Sequence, residues 1–132
     1  MFTKKSMYKW FSNTRSIYEK EDFYKIYIDF PRQELLNRIT DRVQKMIEKG
    51  AVQEVKRFIK LKVPKNKSAN KAIGIHELRD YLDRKIKIDD VIEKISIKTR
   101  QYAKRQSTWG RGNMSDWNKI TPNNLNNFLK KI

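Results

Sequence analysis

The sequence predicts a mostly α-helical chain with one or two short strands. Three observations carry that expectation. Three stretches, 35–47, 52–59 and 91–109, space their apolar residues at a helical period. One stretch, Tyr24 to Phe30, alternates instead, as a strand with one covered face does. Between these patterns stand Pro31, Gly50 and Pro64, residues that stop a regular element.

Residues 1–23 form a lead-in segment without a clear period. The cluster Ser12–Thr14 predicts a loop between two short elements, with Trp10 and Phe11 as anchors. In the strand over 24–30, Tyr24, Ile26, Ile28 and Phe30 lie on one side against Lys25, Tyr27 and Asp29. A helical pair is expected over 33–60. Its first helix, to Lys49, lines up Leu35, Leu36, Ile39, Val43, Met46 and Ile47, and Gly50 ends it. The second, Val52 to Lys60, turns Val55 and Ile59 inward until Pro64 and the Lys-Asn-Lys-Ser stretch break it. Ser68 or Asn70 is expected to cap a helix over 71–82, with Ile73, Leu78 and Leu82 buried. Residues 83–88 turn the chain. Asp89 is then the expected N-cap of a long helix, with Asp90 and Glu93 suiting the positive end of its dipole. Gly110 and Gly112 should end it, leaving a tail, 112–132, with a short strand over 116–120 and a helix over 124–131. No repeat or low-complexity linker divides the chain, so its 132 residues read as one domain.

The charge is the most informative part of the composition. A formal net charge of +16 favours nucleic acid or an anionic membrane face as partner, and Tyr, Trp and Phe among the cations tilt the choice to RNA, whose unpaired bases stack on rings. The absence of cysteine excludes disulfides, thiol nucleophiles and Cys-based zinc sites. One histidine, His76, cannot build a histidine metal cluster, and no loop resembles an EF-hand. No apolar run approaches membrane-spanning length, and MFTKKSMYKWF has charges but no apolar signal core. A cytoplasmic protein is expected.

The long helix concentrates the charge. Val91, Ile92, Ile95, Thr99, Tyr102, Ala103, Gln106 and Trp109 share one side, which reads as the packed face. Lys94, Lys98 and Arg105 make one exposed row and Arg100, Lys104 and Arg111 another, with no Asp or Glu between Lys94 and Ser115. Such a run is either a solvated face or a surface for an external polyanion. The pairs Asp89–Asp90 and Glu21–Asp22 stand at element starts, where capping or solvation accounts for them.

TRQYAKRQSTW, Thr99 to Trp109, strongly resembles the C-terminal signature of the tRNA dimethylallyltransferases, which prenylate an adenosine beside the anticodon. RITDRVQKMIEKGAVQEV (Arg38–Val55) and KAIGIHEL (Lys71–Leu78) match in the expected order. KKSMYKWF and FYKIYIDFPR are similar to the sequence that follows the family's tRNA-binding insertion. The resemblance covers nearly the whole chain. It implies an α/β fold with a P-loop NTPase-like core, incomplete here. The family's phosphate loop needs glycines spaced G-x-x-x-x-G-K-[ST], whereas Gly50, Gly74, Gly110 and Gly112 have no such arrangement, and the general-base Asp that follows the loop is also absent.

By resemblance, the complete enzyme moves a dimethylallyl group from dimethylallyl diphosphate to the N6 amine of the adenosine 3′ of the anticodon, assisted by Mg²⁺ whose ligands lie outside this chain. The chain is thus expected to be the C-terminal part of such an enzyme, inactive alone and partnered by tRNA, the diphosphate substrate and a separate N-terminal part. Arg100, inside the matched TRQ, is implied as the catalytic residue, binding the diphosphate or, alternatively, the tRNA backbone. Arg42, one turn from Arg38, is a second diphosphate candidate, because the planar fork of Arg suits the ligand; the pair could equally be surface arginines near Glu34 and Asp41. Lys104, Arg105, Gln106, Thr108, Trp109 and Arg111 correspond to a tRNA-contacting segment, in which Lys104, Arg105 and Arg111 are the stronger RNA candidates and Gln106 and Trp109, on the packed side, are alternatively structural; Lys71, Gly74 and His76 correspond to another, with Glu77 a candidate to orient one of them. Ile75 stands where the family commonly has an aromatic, His76 where it has Lys or Arg, and Gly110 where it has a bulky apolar residue. A stand-alone basic RNA-binding module without catalysis is the alternative, and a membrane-surface protein fits the charge but not the order of motifs.

Overall fold

The computed structural model describes residues 6–130. Met1–Lys5 of the lead-in segment and Lys131 of the expected last helix lie outside the described residues. In order come helix α1 (Met7–Asn13), strand β1 (Ile26–Ile28), helices α2 (Arg32–Glu48), α3 (Ala51–Lys60), α4 (Ile75–Leu82) and α5 (Ile88–Asn113), strand β2 (Asn118–Ile120) and helix α6 (Pro122–Leu129). The chain is therefore mostly helical with one short strand pair.

The core is where α2, α3 and α4 meet the first half of α5. Val43, Ala51, Val55, Leu78, Val91 and Ile95 form one buried cluster, and Val91 is wholly enclosed. Gly50 turns the chain from α2 into α3 at φ 97°, a left-handed conformation that costs glycine little. β1 and β2 pair in parallel, Ile26 opposite Asn118 and Ile28 opposite Ile120, so the four helices between them form the crossover that a parallel pair requires. Alternation finds the first strand but says nothing of which strands pair.

Several local expectations need correction. Trp10 and Phe11 do not anchor the lead-in segment: they are 53% and 70% exposed, and Ser12 and Asn13 belong to α1 rather than to a loop. The strand keeps three residues, and Tyr24 and Ile28 on its supposed inner side are exposed while Tyr27 is half-buried. In α3 Phe58, not Ile59, is the more covered residue. Neither Ser68 nor Asn70 caps α4, which starts after Gly74 (φ 104°); the Gly74 amide donates to Glu77 Oε2 at 3.1 Å. Ile73 lies outside the helix and is 41% exposed. At α5 the N-cap is Lys87, whose amide donates to Asp90 Oδ2 at 3.0 Å, so Asp90 supplies the cap that Asp89 was expected to give.

The covered face of α5 also differs in its second half. Gly110 is buried and Ala103 and Ser107 half-buried, whereas Gln106 is exposed, as are Tyr102 (49%) and Trp109 (59%). The helix runs through both glycines to Asn113, because Gly110 is a contact and not a stop. A Cβ at Gly110 would sit 2.8 Å from Cε2 of Tyr27 and 3.1 Å from its Cζ and Oη. Gly110 lets Tyr27 of β1 approach, while the small side chains of Ala103 and Ser107 line the space between α5 and the strands, and an apolar-versus-polar count overlooks all three.

Gly110→Ala is therefore expected to destabilise the chain by about 1 kcal/mol, the cost of overpacking exceeding the gain in helix propensity. In a Tyr27→Ala background the same change should stabilise by roughly 0.5–1 kcal/mol, since only propensity remains. Urea unfolding of the four proteins checks the reversal of sign.

Candidate functional site

A cleft of about 1020 Å³ opens between the second half of α5, the first turns of α2 and the ends of both strands. Its geometry follows from the parallel pair. Ile28–Phe30 and Ile120–Thr121 are the carboxyl ends of β1 and β2, the end at which open α/β sheets receive ligands. Leu35, Leu36 and Ile39 of α2 give the cleft an apolar wall. Arg32, Arg100, Lys104, Arg111 and Lys119 bring five cations to it, against one carboxylate, Asp29. Among the described residues none of the five forms an ion pair. Their charge is available to an anionic ligand.

Arg100 enters this cleft from α5, held by a long hydrogen bond from its Nε to the Ser96 carbonyl at 3.3 Å. That contact uses one of its five N–H donors, and the paired donors of the fork remain for a ligand. Lys104, Gln106 and Arg111 line the same cleft. Arg105 lies instead over the ring of Tyr102, 5.6 Å from its centroid, beside exposed Trp109. Thr108 donates through Oγ1 to the Lys104 carbonyl at 3.0 Å. The helix thus offers a cleft face of bare cations and a neighbouring outer face where Arg105 stands between two exposed rings, Tyr102 and Trp109.

The remaining sequence candidates lie elsewhere. Arg42 lines a separate shallow cavity on α2 with Arg38, Asp41 and Lys45, and Arg38 sits 3.9 Å from Glu34 and 4.9 Å from the Phe30 ring. Lys71 is exposed on the turn before α4. Gly74 is buried, with room between it and Ile95 for no more than a Cβ contact at 3.4 Å, so the close approach it permits is to α5. His76 is exposed, its Nδ1 3.3 Å from Asp80 Oδ2; Asp80 and not Glu77 orients it. Glu77 is instead buried and pairs with Lys98 of α5. Burial pushes its carboxyl up, but the Lys98 ammonium and the amides of Glu77 and Gly74 outweigh that and hold it below the ordinary value. Lys98 is accordingly neutralised within the fold, unlike the rest of the basic rows.

Arg32, Lys119 and Asp29 were not anticipated as site residues. Arg32 and Asp29 flank the junction of β1 and α2, which the carboxyl-end rule alone would have flagged. Lys119 reaches the cleft only through the pairing of β2 with β1.

Sequence comparison places the chain in a family. A family model described as IPP transferase matches residues 1–113. The chain belongs to the IPP transferase family. A tRNA dimethylallyltransferase of Pelagibacter ubique is 47% identical over 131 residues, covering 99% of this chain and 42% of that protein. One from Agrobacterium fabrum is 41% identical over 98 residues, covering 73% and 33%. The chain thus spans less than half the length of these IPP transferase relatives. Among solved structures, a tRNA isopentenylpyrophosphate transferase of Staphylococcus epidermidis superposes with a TM-score of 0.67 at 31% identity, over 76% of this chain and 32% of that one. The full-length enzyme of Bacillus halodurans gives 0.67 at 30% identity, over 86% and 36%.

Proposed function

We propose that this chain is the C-terminal part of a tRNA dimethylallyltransferase and forms one wall of its transfer site. The observation that carries this is the cleft at the strand ends, where five cations that form no ion pair among the described residues face an apolar wall. A diphosphate fits the cations, and a branched hydrocarbon chain fits the wall formed by Leu35, Leu36 and Ile39. In the reaction the amine nitrogen of adenosine forms a bond to C1 of the dimethylallyl group as the bond from C1 to the diphosphate oxygen breaks. The electron pair leaves with the diphosphate, and the amine proton passes to a base outside this chain. Arg100 neutralises the charge that grows on the leaving group. Arg42 is kept as a second diphosphate candidate only if the shallow cavity faces the absent part.

The outer face of α5, with Arg105, Thr108 and Trp109 beside Tyr102 and exposed Lys104 at its border with the cleft, takes unpaired bases and phosphates of the tRNA, and Lys71 and His76 extend that contact. Mg²⁺ does not fit this wall. Asp29 is alone against five cations, and no group of three or more His, Cys, Asp or Glu among the described residues could hold a metal ion. No helix among them is long and apolar enough to cross a membrane. A three-residue parallel pair needs further strands and covered faces to be stable, and Trp10, Phe11, Ile17 and Tyr18 stand exposed. Both features favour a complementary part over a self-sufficient RNA-binding module.

The test mixes the chain with tRNA, labelled dimethylallyl diphosphate and Mg²⁺, with and without a separate part carrying the phosphate loop. Transfer only in the complemented mixture supports the proposal. Tight tRNA binding that no partner alters, with no transfer in either mixture, supports the binding module. In the same binding assay, Lys104→Ala with Arg105→Ala is expected to weaken tRNA affinity about tenfold and to reduce the salt slope by roughly 1.5. An unchanged slope would mean that these cations are only a solvated surface.

A further inference from the structure

A second acid-free run lies outside the residues that line the cleft. From Val55 to His76 the chain carries Lys56, Arg57, Lys60, Lys62, Lys65, Lys67 and Lys71 and no Asp or Glu. All seven are exposed, and none forms an ion pair among the described residues. The segment following α3 is braced rather than loose. The Asn70 side chain donates to the Pro64 carbonyl at 2.9 Å and accepts from Arg79 at 3.0 Å, and the Arg79 guanidinium lies over Phe58 of α3 at 5.8 Å. Arg79, the one cation next to the run that is spent on structure, thereby fixes the loop whose lysines point to solvent.

Two acid-free surfaces differ in one respect that separates their partners. The outer face of α5 carries Tyr102 and Trp109 exposed among its cations, a platform on which unpaired bases stack. The run from Lys56 to Lys67 has no exposed ring: its single aromatic, Phe58, lies under Arg79. Cations without rings offer contacts to phosphate but no platform on which an unpaired base can stack. Phosphates with their bases turned away are what a paired helix presents.

We propose that the outer face of α3 and the loop after it, Lys56 to Lys67, grip the sugar–phosphate backbone of a base-paired stem, while α5 receives the unpaired loop of the same RNA. This rests on the proposed tRNA contact at α5 and extends it to a surface outside the cleft. Binding is to be measured by fluorescence anisotropy against an RNA hairpin and a single-stranded RNA of the loop sequence, over a series of salt concentrations. The variants are Lys56→Gln/Arg57→Gln/Lys60→Gln, Lys62→Gln/Lys65→Gln/Lys67→Gln, and the α5 pair Lys104→Ala/Arg105→Ala, with circular dichroism to verify helical content. Each α3-side triple should weaken hairpin binding roughly tenfold and lower its salt slope by about 2, leaving the single strand within about twofold.

Equal losses on hairpin and single strand, or none on either, overturn the stem assignment while leaving the α5 contact intact. Losses from the α3-side triples with none from the α5 pair keep the stem surface and overturn the α5 contact. Failure of the parent chain to bind either RNA overturns both. Vesicles containing phosphatidylglycerol serve as the control for a lipid partner; weakened vesicle binding with unchanged hairpin binding also overturns the proposal.

Discussion

Arg100→Ala is expected to reduce dimethylallyl transfer by about 10²–10³-fold in the complemented enzyme, the usual effect of removing one preorganised donor from a developing anion. Affinity for tRNA should change little, because Arg100 faces the cleft while the ring-bearing face of α5 lies beside it. The conservative variant is the sharper probe. Arg100→Lys keeps the charge but loses the planar fork, so it should recover only part of the lost rate if two diphosphate oxygens are held together. Single-turnover rates at saturating tRNA, with a separate titration of tRNA binding, distinguish the outcomes. Equal losses in transfer and tRNA affinity would move Arg100 from the leaving group to the tRNA backbone.

That prediction depends on a cleft of which the sequence discloses only part. Periodicity places α2 and α5 to within a few residues, since long amphipathic patterns such as Leu35 to Ile47 have little alternative. Strand pairing is different. Ile26 meets Asn118 across a sequence separation of 92, and no local feature of either segment encodes that meeting. The cleft exists because those two short strands place their carboxyl ends side by side, so Lys119 and Arg32 could be read as surface residues until the pairing was known. Gly110 is the reverse case. Its sequence neighbourhood suggests a helix end, yet the helix continues because a ring from β1 needs the space where a side chain would be. The resemblance to a known family brings Arg100 forward, whereas only the structure shows which cations share its cavity.

The basic rows of α5 also change meaning once their partners are visible. Lys98 and Lys94 look alike in sequence, but Lys98 reaches Glu77 while the rest of the acid-free run has no such carboxylate among the described residues. The carboxylate comes from α4, outside the run. An acid-free segment therefore overstates the free charge of a surface whenever a neighbouring helix supplies a buried acid. What remains is the cleft set and the Arg105 face.

Glu77→Ala should destabilise the chain by about 2 kcal/mol, because the buried Gly74 amide loses its acceptor and α4 its link to α5. The cost stays below that of breaking a fully buried ion pair, since Lys98 is 53% exposed and can regain water. The pair also sets a pH dependence. Its carboxyl is held below the ordinary value in the folded chain, so its contribution is fully present above the unfolded value of about 4.3 and is lost as the pH falls from there through the folded value. Glu77→Gln, neutral throughout, should flatten the fall in stability over that acidic window while lowering stability near neutrality. Urea unfolding at a series of pH values, followed by circular dichroism, measures both. If the Gln variant loses stability in acid as steeply as the parent, the link between α4 and α5 rests on packing of Gly74 and Leu78 against Ile95 and not on the buried charge.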